Sequence, residues 1–238
     1  MGGALGRLGG MTEVALKVRP DVVFAGTVVL EGLSDEQAIA AMSAAFGSPF
    51  EVSGAAHDPA TKRTMIRLEG FENSVRYRAE SLGTLLNDFG PTTLIEGKES
   101  AAIWTAVRDV TAFADTPGDV WRISVKPSDA PTLVAQIGTE AVQYDWGGGL
   151  IWARVSEGMD LRAAMGDVKG HATLIRASEA TRAAITPFHP EPAPLATVAL
   201  KLSMEIIALG NSCSDLNFSK FLSDNLFKTS LCSTASVL

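Results

Sequence analysis

Hydrophobic and polar positions near the start of the chain follow two different periods, and these predict a strand and then a helix. The segment DVVFAGTVVLEGL, which follows Pro20, is rich in β-branched residues and is bounded by glycine, as strands often are. Ser34 and Gln37 then form a capping-box pattern, which predicts the start of a helix. Ile39 and Met42 recur after it at helical spacing.

Shorter patterns complete this first unit. Alternating and turn-forming residues predict strands near 50–56, 63–69 and 92–95 and a helix over about 72–88. The predicted order is therefore βαββαβ. A further helix is predicted within 97–118.

The same order of elements returns after residue 118. A strand DVWRISVKP, a helix SDAPTLVAQIG and a hairpin of AVQYDW and LIWARV precede a helix at about 157–167 and a strand HATLIRA. Ser128 is the predicted N-cap of the first helix, and Gly138 lies just past its end. Two consecutive βαββαβ units predict an α+β fold of tandem ferredoxin-like units, with antiparallel sheets and helices on one side.

The hairpin of this second unit carries a group of aromatic residues. Alternation along its strands predicts six side chains on one face: Val142, Tyr144, Trp146, Leu150, Trp152 and Arg154. These aromatic side chains either belong to the core beneath the helices or line an open sheet face, where a planar ligand or another domain can stack. The residues alone leave both interpretations open.

Charged and titratable residues give weaker indications. Arg122 and Arg154 can hold a carboxylate through a bidentate contact, or can form salt bridges on a solvated sheet face. His57 falls in a predicted turn, so a solvated surface position is expected for it. His171 opens a predicted strand, so a surface or strand-end role is favoured over catalysis. No catalytic signature is recognised, and no metal site is predicted.

Composition and charge narrow the class of protein. The 238-residue chain is 46% hydrophobic and has a net charge of −7, which favours a packed core and argues against nucleic acid as a partner. Cys213 and Cys232 both lie near the end, so a disulfide framework is not expected in the main body. Neither a signal peptide nor a transmembrane segment is recognised, and a cytoplasmic protein is predicted.

The two ends of the chain differ from its middle. Gly6, Gly9 and Gly10 precede an alternating segment, which predicts a glycine-rich turn and then a strand over 12–18. Arginine is absent from the last part of the chain, where serine, asparagine and both cysteines appear instead. Residues 191–238 are therefore interpreted either as a variable tail or as a segment foreign to the rest.

Several stretches, taken in order, resemble a known family. GALGRLGGMTEVALKVRP resembles the segment that ends the FAD-binding domain of FAD-linked oxidases of the vanillyl-alcohol oxidase type. WRISVKPSDAP, YDWGGGLIWARV and GHATLIRA are similar to the cap domain of the E-type FAD-binding subunit of glycolate oxidase. The resemblance covers residues 1 to about 200. It implies a remnant of an FAD-binding domain over 1–20, a cap domain over 21–190 and an atypical tail over 191–238.

The resemblance also implies roles for particular residues. The glycine-rich segment would approach the flavin, through Gly6, Gly9, Gly10 and Met11. The candidates that would face substrate or flavin are Arg122, Tyr144, Trp146, Trp152, Arg154 and His171. No catalytic residue is assigned. The pyrophosphate-binding loop of the family has no counterpart in this sequence, so this chain alone is expected to bind FAD weakly or not at all and to be inactive.

Two hypotheses for function follow. In the first, the chain is the cap portion of an FAD-dependent 2-hydroxy-acid oxidase or dehydrogenase subunit that acts on glycolate or a similar acid. Its partners would be a second flavin subunit and an iron–sulfur subunit, which leaves open an association with the membrane through them. In the second, it is a non-enzymatic module that binds a small molecule or docks a subunit, since this fold hosts many functions.

Overall fold

The computed structural model of this chain describes residues 13–18, 22–190 and 198. The chain divides into two compact units, and the larger one, Arg19–His189, contains every element named below. Nearly all of the predicted tail lies outside the described residues. The expected flavin-proximal residues also lie outside them, namely Gly6, Gly9, Gly10 and Met11.

Eight strands form one open antiparallel sheet in the described part of the chain, which confirms the α+β class. The strands are β1 (Phe24–Glu31), β2 (Val52–Asp58), β3 (Arg63–Gly70), β4 (Thr92–Glu96), β5 (Asp119–Val125), β6 (Ala141–Asp145), β7 (Leu150–Val155) and β8 (Gly170–Arg176). Their order across the sheet is β4-β1-β3-β2-β6-β7-β5-β8. The two halves join where β2 pairs with β6, with His57 opposite Tyr144.

Six α-helices accompany the sheet within the described residues: α1 (Asp35–Phe46), α2 (Glu72–Leu85), α3 (Gly97–Asp109), α4 (Ala130–Ile137), α5 (Leu161–Ala164) and α6 (Glu179–Ala184). None of these helices has both the length and the apolar character that a bilayer span requires. The predicted capping box is confirmed, because the Ser34 hydroxyl accepts from the Gln37 N–H and the Gln37 side chain accepts from the Ser34 N–H.

Other helix predictions are wrong in detail. Pro127–Asp129 form a short 3-10 turn, so Asp129 rather than Ser128 directly precedes α4. The helix predicted over 157–167 contracts to the four residues of α5. α6 was not predicted at all.

The main core lies between one face of the sheet and the helices α1, α2, α4 and α5. Alternate strand residues point into it, and its largest fully buried side chains include Leu30, Ile66, Trp121, Tyr144 and Ile151. We call this the helix face of the sheet. Because successive side chains of a strand point to opposite sides, the residues between these belong to the other face, which we call the open face.

α3 lies on the open face, so the expectation of helices on one side only is wrong. Val107 of α3 packs with Val29 and Met65, whose strand neighbours belong to the main core. The physical reason is that α3 also has an apolar side to bury, while α1 and α2 already cover the helix face of the first four strands. α3 therefore leaves only part of the open face uncovered.

Residues 13–18 form no strand, so the alternating segment near the start does not adopt its predicted structure. Val14, Leu16 and Val18 are exposed instead. Alternation alone does not make a strand, because backbone N–H and C=O groups of a strand need a neighbouring strand as partner.

Candidate functional site

A cavity of about 760 Å³ opens on the open face, next to α3. Its walls come from both halves of the sheet as well as from α3. The lining residues with chemistry to offer are Arg67, Trp104, Arg122, Asp145, Trp146 and Trp152. Three arrangements within it decide what it can bind: an arginine without a partner, a wall of indole rings and a partly buried carboxyl.

The hairpin of β6 and β7 supplies one wall, and its register differs from the predicted one. Gln143 lies opposite Trp152 and Asp145 opposite Leu150. Residues directly opposite each other share a face, so Trp152 belongs with Asp145 and not with Tyr144. The prediction that Tyr144 and Trp152 share a face is therefore wrong.

The reason for this shift lies in the turn between the two strands. Trp146 adopts a left-handed conformation with φ of 52°, so it leaves β6 one residue earlier than expected. Gly147 and Gly148 follow at φ of 65° and 98°, and a Cβ on Gly148 would lie 2.3 Å from Ile39 Cδ1 of α1. Glycine is needed there both for the backbone conformation and for the close packing on α1.

Arg122 of β5 lines the cavity and stacks on one of its indole rings. Its guanidinium lies over the Trp146 ring, 5.2 Å from the ring centroid. No described residue forms a hydrogen bond or an ion pair with it. A guanidinium donates five N–H groups in its own plane, so a ring beneath it leaves those donors free for an anion.

The facing wall comes from the first half of the sheet and from α3. The Arg67 guanidinium lies 4.9 Å from the Trp104 ring centroid, and its Nε donates to Ser53 Oγ at 3.1 Å. Trp104 Nε1 donates to Thr27 Oγ1 at 2.9 Å, which fixes the indole against β1. Gly54 lies under that indole, where a Cβ would come within 3.3 Å of Trp104 Cζ3, so a larger residue would require the ring to shift slightly.

Among the described residues, Asp145 is one of the two carboxyl residues that line the cavity, and Glu69 is the other. One of its oxygens, Oδ1, accepts from the backbone N–H of Trp146 at 2.7 Å. Burial raises the pKa of Asp145 above its ordinary value of 3.8, and the N–H and the nearby Arg67 and Arg122 oppose that rise only in part. The second oxygen remains available as an acceptor.

The structure brings together three of the six expected site residues. Arg122, Trp146 and Trp152 all line the cavity. Arg154 lies outside it, where its Nε is 3.8 Å from a Glu140 carboxylate oxygen. His171 is exposed on β8, also away from the cavity.

Tyr144 is the sixth expected residue, and it lies on the helix face. It is fully buried, and its hydroxyl donates to Asp35 Oδ2 at 2.6 Å. The sequence left open whether the aromatic residues of this hairpin belong to the core or to an open sheet face, and they divide between the two. The Tyr144 ring belongs to the core, whereas Trp146 and Trp152 belong to the open face.

His57 lies beside Tyr144, so the expectation of a surface histidine in a turn is wrong. Its side chain is completely buried, and Nδ1 lies 2.9 Å from Thr64 Oγ1. Its Nε2 lies 3.6 Å from Asp35 Oδ1, which is too far for a hydrogen bond. Two neighbours, His57 and the Tyr144 hydroxyl, hold the pKa of Asp35 below its ordinary value. Burial has the opposite effect but is outweighed.

Sequence reasoning missed Arg67, Trp104 and Asp145. A signal for Trp104 exists, because Ser100, Trp104 and Val107 recur at helical spacing and predict a buried side of α3. That spacing identifies a buried side but not the sheet face it covers. For Arg67 and Asp145, only the three-dimensional pairing of β2 with β6 brings the two halves of the chain to one cavity.

No protein-family model matches this chain, and no curated protein matches it either.

Proposed function

We propose that this chain is the cap portion of an FAD-dependent 2-hydroxy-acid oxidoreductase subunit, whose open sheet face covers substrate and flavin. The observation that carries the proposal is the cavity on that face, where Arg122 lies among Trp104, Trp146 and Trp152 and forms no hydrogen bond or ion pair with the described residues. A cation and several indole rings in one concave site suit an organic anion next to a planar ring system.

The finer fold belongs to the same proposal. Each half of the sheet has its first strand in the middle, its fourth at the edge and its second at the junction, as a ferredoxin-like unit has. In the first half this order reads β4-β1-β3-β2, and the second half repeats it in reverse direction as β6-β7-β5-β8. We therefore propose two ferredoxin-like units that share one sheet.

The described residues suit the isoalloxazine ring of FAD but not its phosphates. Trp146 is 58% exposed at the rim, and Trp104 and Trp152 are half-buried, so flat apolar surface is available for an isoalloxazine ring. No glycine-rich loop that could cradle phosphates is found among the described residues that line the cavity. When bound, the flavin supplies the acceptor for the hydride from the hydroxyl-bearing carbon.

The residues of this chain then have binding roles. Arg122 holds the substrate carboxylate, which fixes the orientation of the adjoining hydroxyl-bearing carbon. The indoles of Trp104 and Trp152 exclude water from that carbon. Glycolate or a similar 2-hydroxy acid, a second flavin subunit and an iron–sulfur subunit are the partners that this proposal carries with it.

A flavin titration tests the proposal against the non-enzymatic alternative. FMN and FAD share the isoalloxazine ring and differ in the nucleotide, so we expect both to bind the purified chain weakly and with similar affinity. The readouts are a visible difference spectrum and quenching of tryptophan fluorescence. Trp152→Leu should weaken both ligands, while Tyr77→Leu, which removes an exposed aromatic side chain outside the cavity, should weaken neither.

Two results would contradict the proposal. If the flavins bind but Trp152→Leu weakens neither of them, the open face does not cover the flavin and the cavity belongs to a non-enzymatic binding module. If FAD binds far more tightly than FMN, this chain holds the nucleotide itself and is more than a cap.

A further inference from the structure

We propose that the cavity selects a 2-hydroxy monocarboxylate with an aryl side chain, with its carboxylate on Arg122, its hydroxyl on Asp145 and its ring against Trp104 and Trp152. This inference rests on the proposed function and names its substrate class. It departs from the expectation of glycolate, the smallest 2-hydroxy acid.

The size and lining of the cavity argue for a ring. Its volume of about 760 Å³ lies within the range of about 300–1,000 Å³ that is typical of sites for larger organic ligands. Glycolate would leave most of this space to water, beside the apolar faces of Trp104 and Trp152. An aryl group replaces that water and offers the indoles an aromatic surface to pack against.

The charges of the cavity argue for one carboxylate and not two. Arg122 forms no hydrogen bond or ion pair with the described residues, so its N–H donors can take an anion without breaking one, although its charge also acts on nearby Asp145. Arg67 already donates to Ser53, and its Nε is 3.6 Å from a Glu69 carboxylate oxygen. The third lining arginine, Arg108, is paired with Asp109 at 2.7 Å. Among the described lining residues, Arg122 is thus the one guanidinium with neither a hydrogen bond nor an ion pair, which matches a monocarboxylate.

Asp145 argues for the hydroxyl group of the ligand. Its Oδ1 already accepts from the Trp146 N–H, so Oδ2 is the acceptor left for a ligand donor. A ligand carboxylate placed against Oδ2 would be repelled, whereas a ligand hydroxyl there can donate its proton in a charge-assisted hydrogen bond. Arg122 and Asp145 thus form a donor and acceptor pair that fits the adjacent carboxylate and hydroxyl of a 2-hydroxy acid.

Calorimetric titration of the full chain with four related ligands tests this inference. The ligands are 3-phenyllactate, lactate, which lacks the ring, 3-phenylpropanoate, which lacks the hydroxyl, and 3-phenylpropane-1,2-diol, which lacks the carboxylate. We expect phenyllactate to bind most tightly, with an advantage of about tenfold or more over lactate from ring burial.

Matched variants assign each part of that preference. Arg122→Gln should weaken phenyllactate by about 10- to 100-fold and leave the diol nearly unchanged. Asp145→Asn should remove most of the difference between phenyllactate and phenylpropanoate. Arg63→Gln, on β3 outside the cavity, should change neither affinity.

The outcomes separate this inference from the function on which it rests. Equal affinities for lactate and phenyllactate, together with flavin binding that depends on Trp152, would overturn the aryl selectivity and leave the proposed function standing. Unchanged phenyllactate affinity in Arg122→Gln would also overturn the inference. If no carboxylate binds at millimolar concentration and no flavin binds, both the inference and the proposed function are wrong.

Discussion

Tyr144 and Asp145 are consecutive residues of β6, and they point to two very different faces of the sheet. On the helix face, Tyr144 is fully buried and donates its hydroxyl to Asp35. On the open face, Asp145 shares a cavity with Arg122, which has no polar partner among the described residues. The same strand therefore supports a closed polar cluster on one side and an open one on the other.

This difference suggests that the helix face serves stability and the open face serves ligand binding. Buried polar groups are costly unless they are paired, and on the helix face Tyr144, Thr64 and His57 Nδ1 find partners within the chain. On the open face, Arg122 forms no hydrogen bond or ion pair with the described residues, so its N–H donors remain for solvent or a ligand. Substitutions on the helix face should therefore affect folding, and those on the open face should affect ligands.

The largest expected contrast is between Tyr144→Ala and Trp146→Ala, only two positions apart. Removal of the fully buried Tyr144 ring should lower the free energy of unfolding by about 3–5 kcal/mol, as for other large core aromatics. Trp146 is 58% exposed, so its removal should change stability by only about 0.5 kcal/mol. Urea denaturation followed by circular dichroism measures both values.

Tyr144→Phe provides the control, because it keeps the ring and removes only the hydroxyl that donates to Asp35. We expect it to lose about 1 kcal/mol. Equal destabilisation by Tyr144→Ala and Trp146→Ala would show that the open face contributes to stability as much as the helix face does.

A smaller loss of stability is expected when Thr64, the hydrogen-bond partner of the buried His57, is substituted. Within the described part of the chain, Thr64→Val removes the one hydrogen-bond partner of His57 Nδ1, and Nε2 already lacks a partner there. The substitution should therefore cost about 1–3 kcal/mol in the free energy of unfolding. Thr64→Ser keeps the hydroxyl and should retain most of that stability. On the open face, Ser53→Ala should change stability by only about 0.5 kcal/mol, since Ser53 is exposed. The same denaturation experiment would refute the contrast if Thr64→Val and Ser53→Ala had equal effects.

Local patterns predicted the parts of the fold that depend on local physics. The capping box of Ser34 and Gln37 is one example, because its hydrogen bonds join residues three apart. The alternation of Trp121 and Ile123 with Arg122 is another, because the faces of one strand follow from its own period. In both cases nothing outside the segment had to be known.

The wrong predictions concern features in which the conformation of one residue, or the packing of another helix, decides how distant residues are placed. A left-handed Trp146 shortens β6 by one residue and so exchanges the face predicted for Trp152 relative to Tyr144. Similarly, the buried side of α3 was predictable, but the choice of sheet face depends on where α1 and α2 pack. The aromatic and cationic side chains from the second half of the sheet were therefore predictable. The contribution of Arg67 and Trp104 was not, because it depends on how the complete sheet and α3 pack together.

The smallest expected effects are two pH dependences of opposite sign, because Asp35 and Asp145 are each only partly buried. The folded-state pKa of Asp35 is depressed, so its stabilising contribution is present above its unfolded value near 3.8 and is lost as the pH falls through the folded pKa. The folded-state pKa of Asp145 is raised, so its ionised form costs stability at neutral pH. That cost disappears as the pH falls through the raised pKa towards 3.8.

Asp35→Asn should therefore reduce stability at neutral pH and differ least from the natural chain in acid. Asp145→Asn should increase stability at neutral pH, and this gain should fade as the pH approaches 3.8. The asparagine oxygen at position 145 still accepts from the Trp146 N–H, so the turn is preserved in that comparison. Free energies of unfolding from urea titrations at a series of pH values give both curves. Two differences of the same sign would mean that Asp145 is paired as Asp35 is, and that the open face is not poised for a ligand.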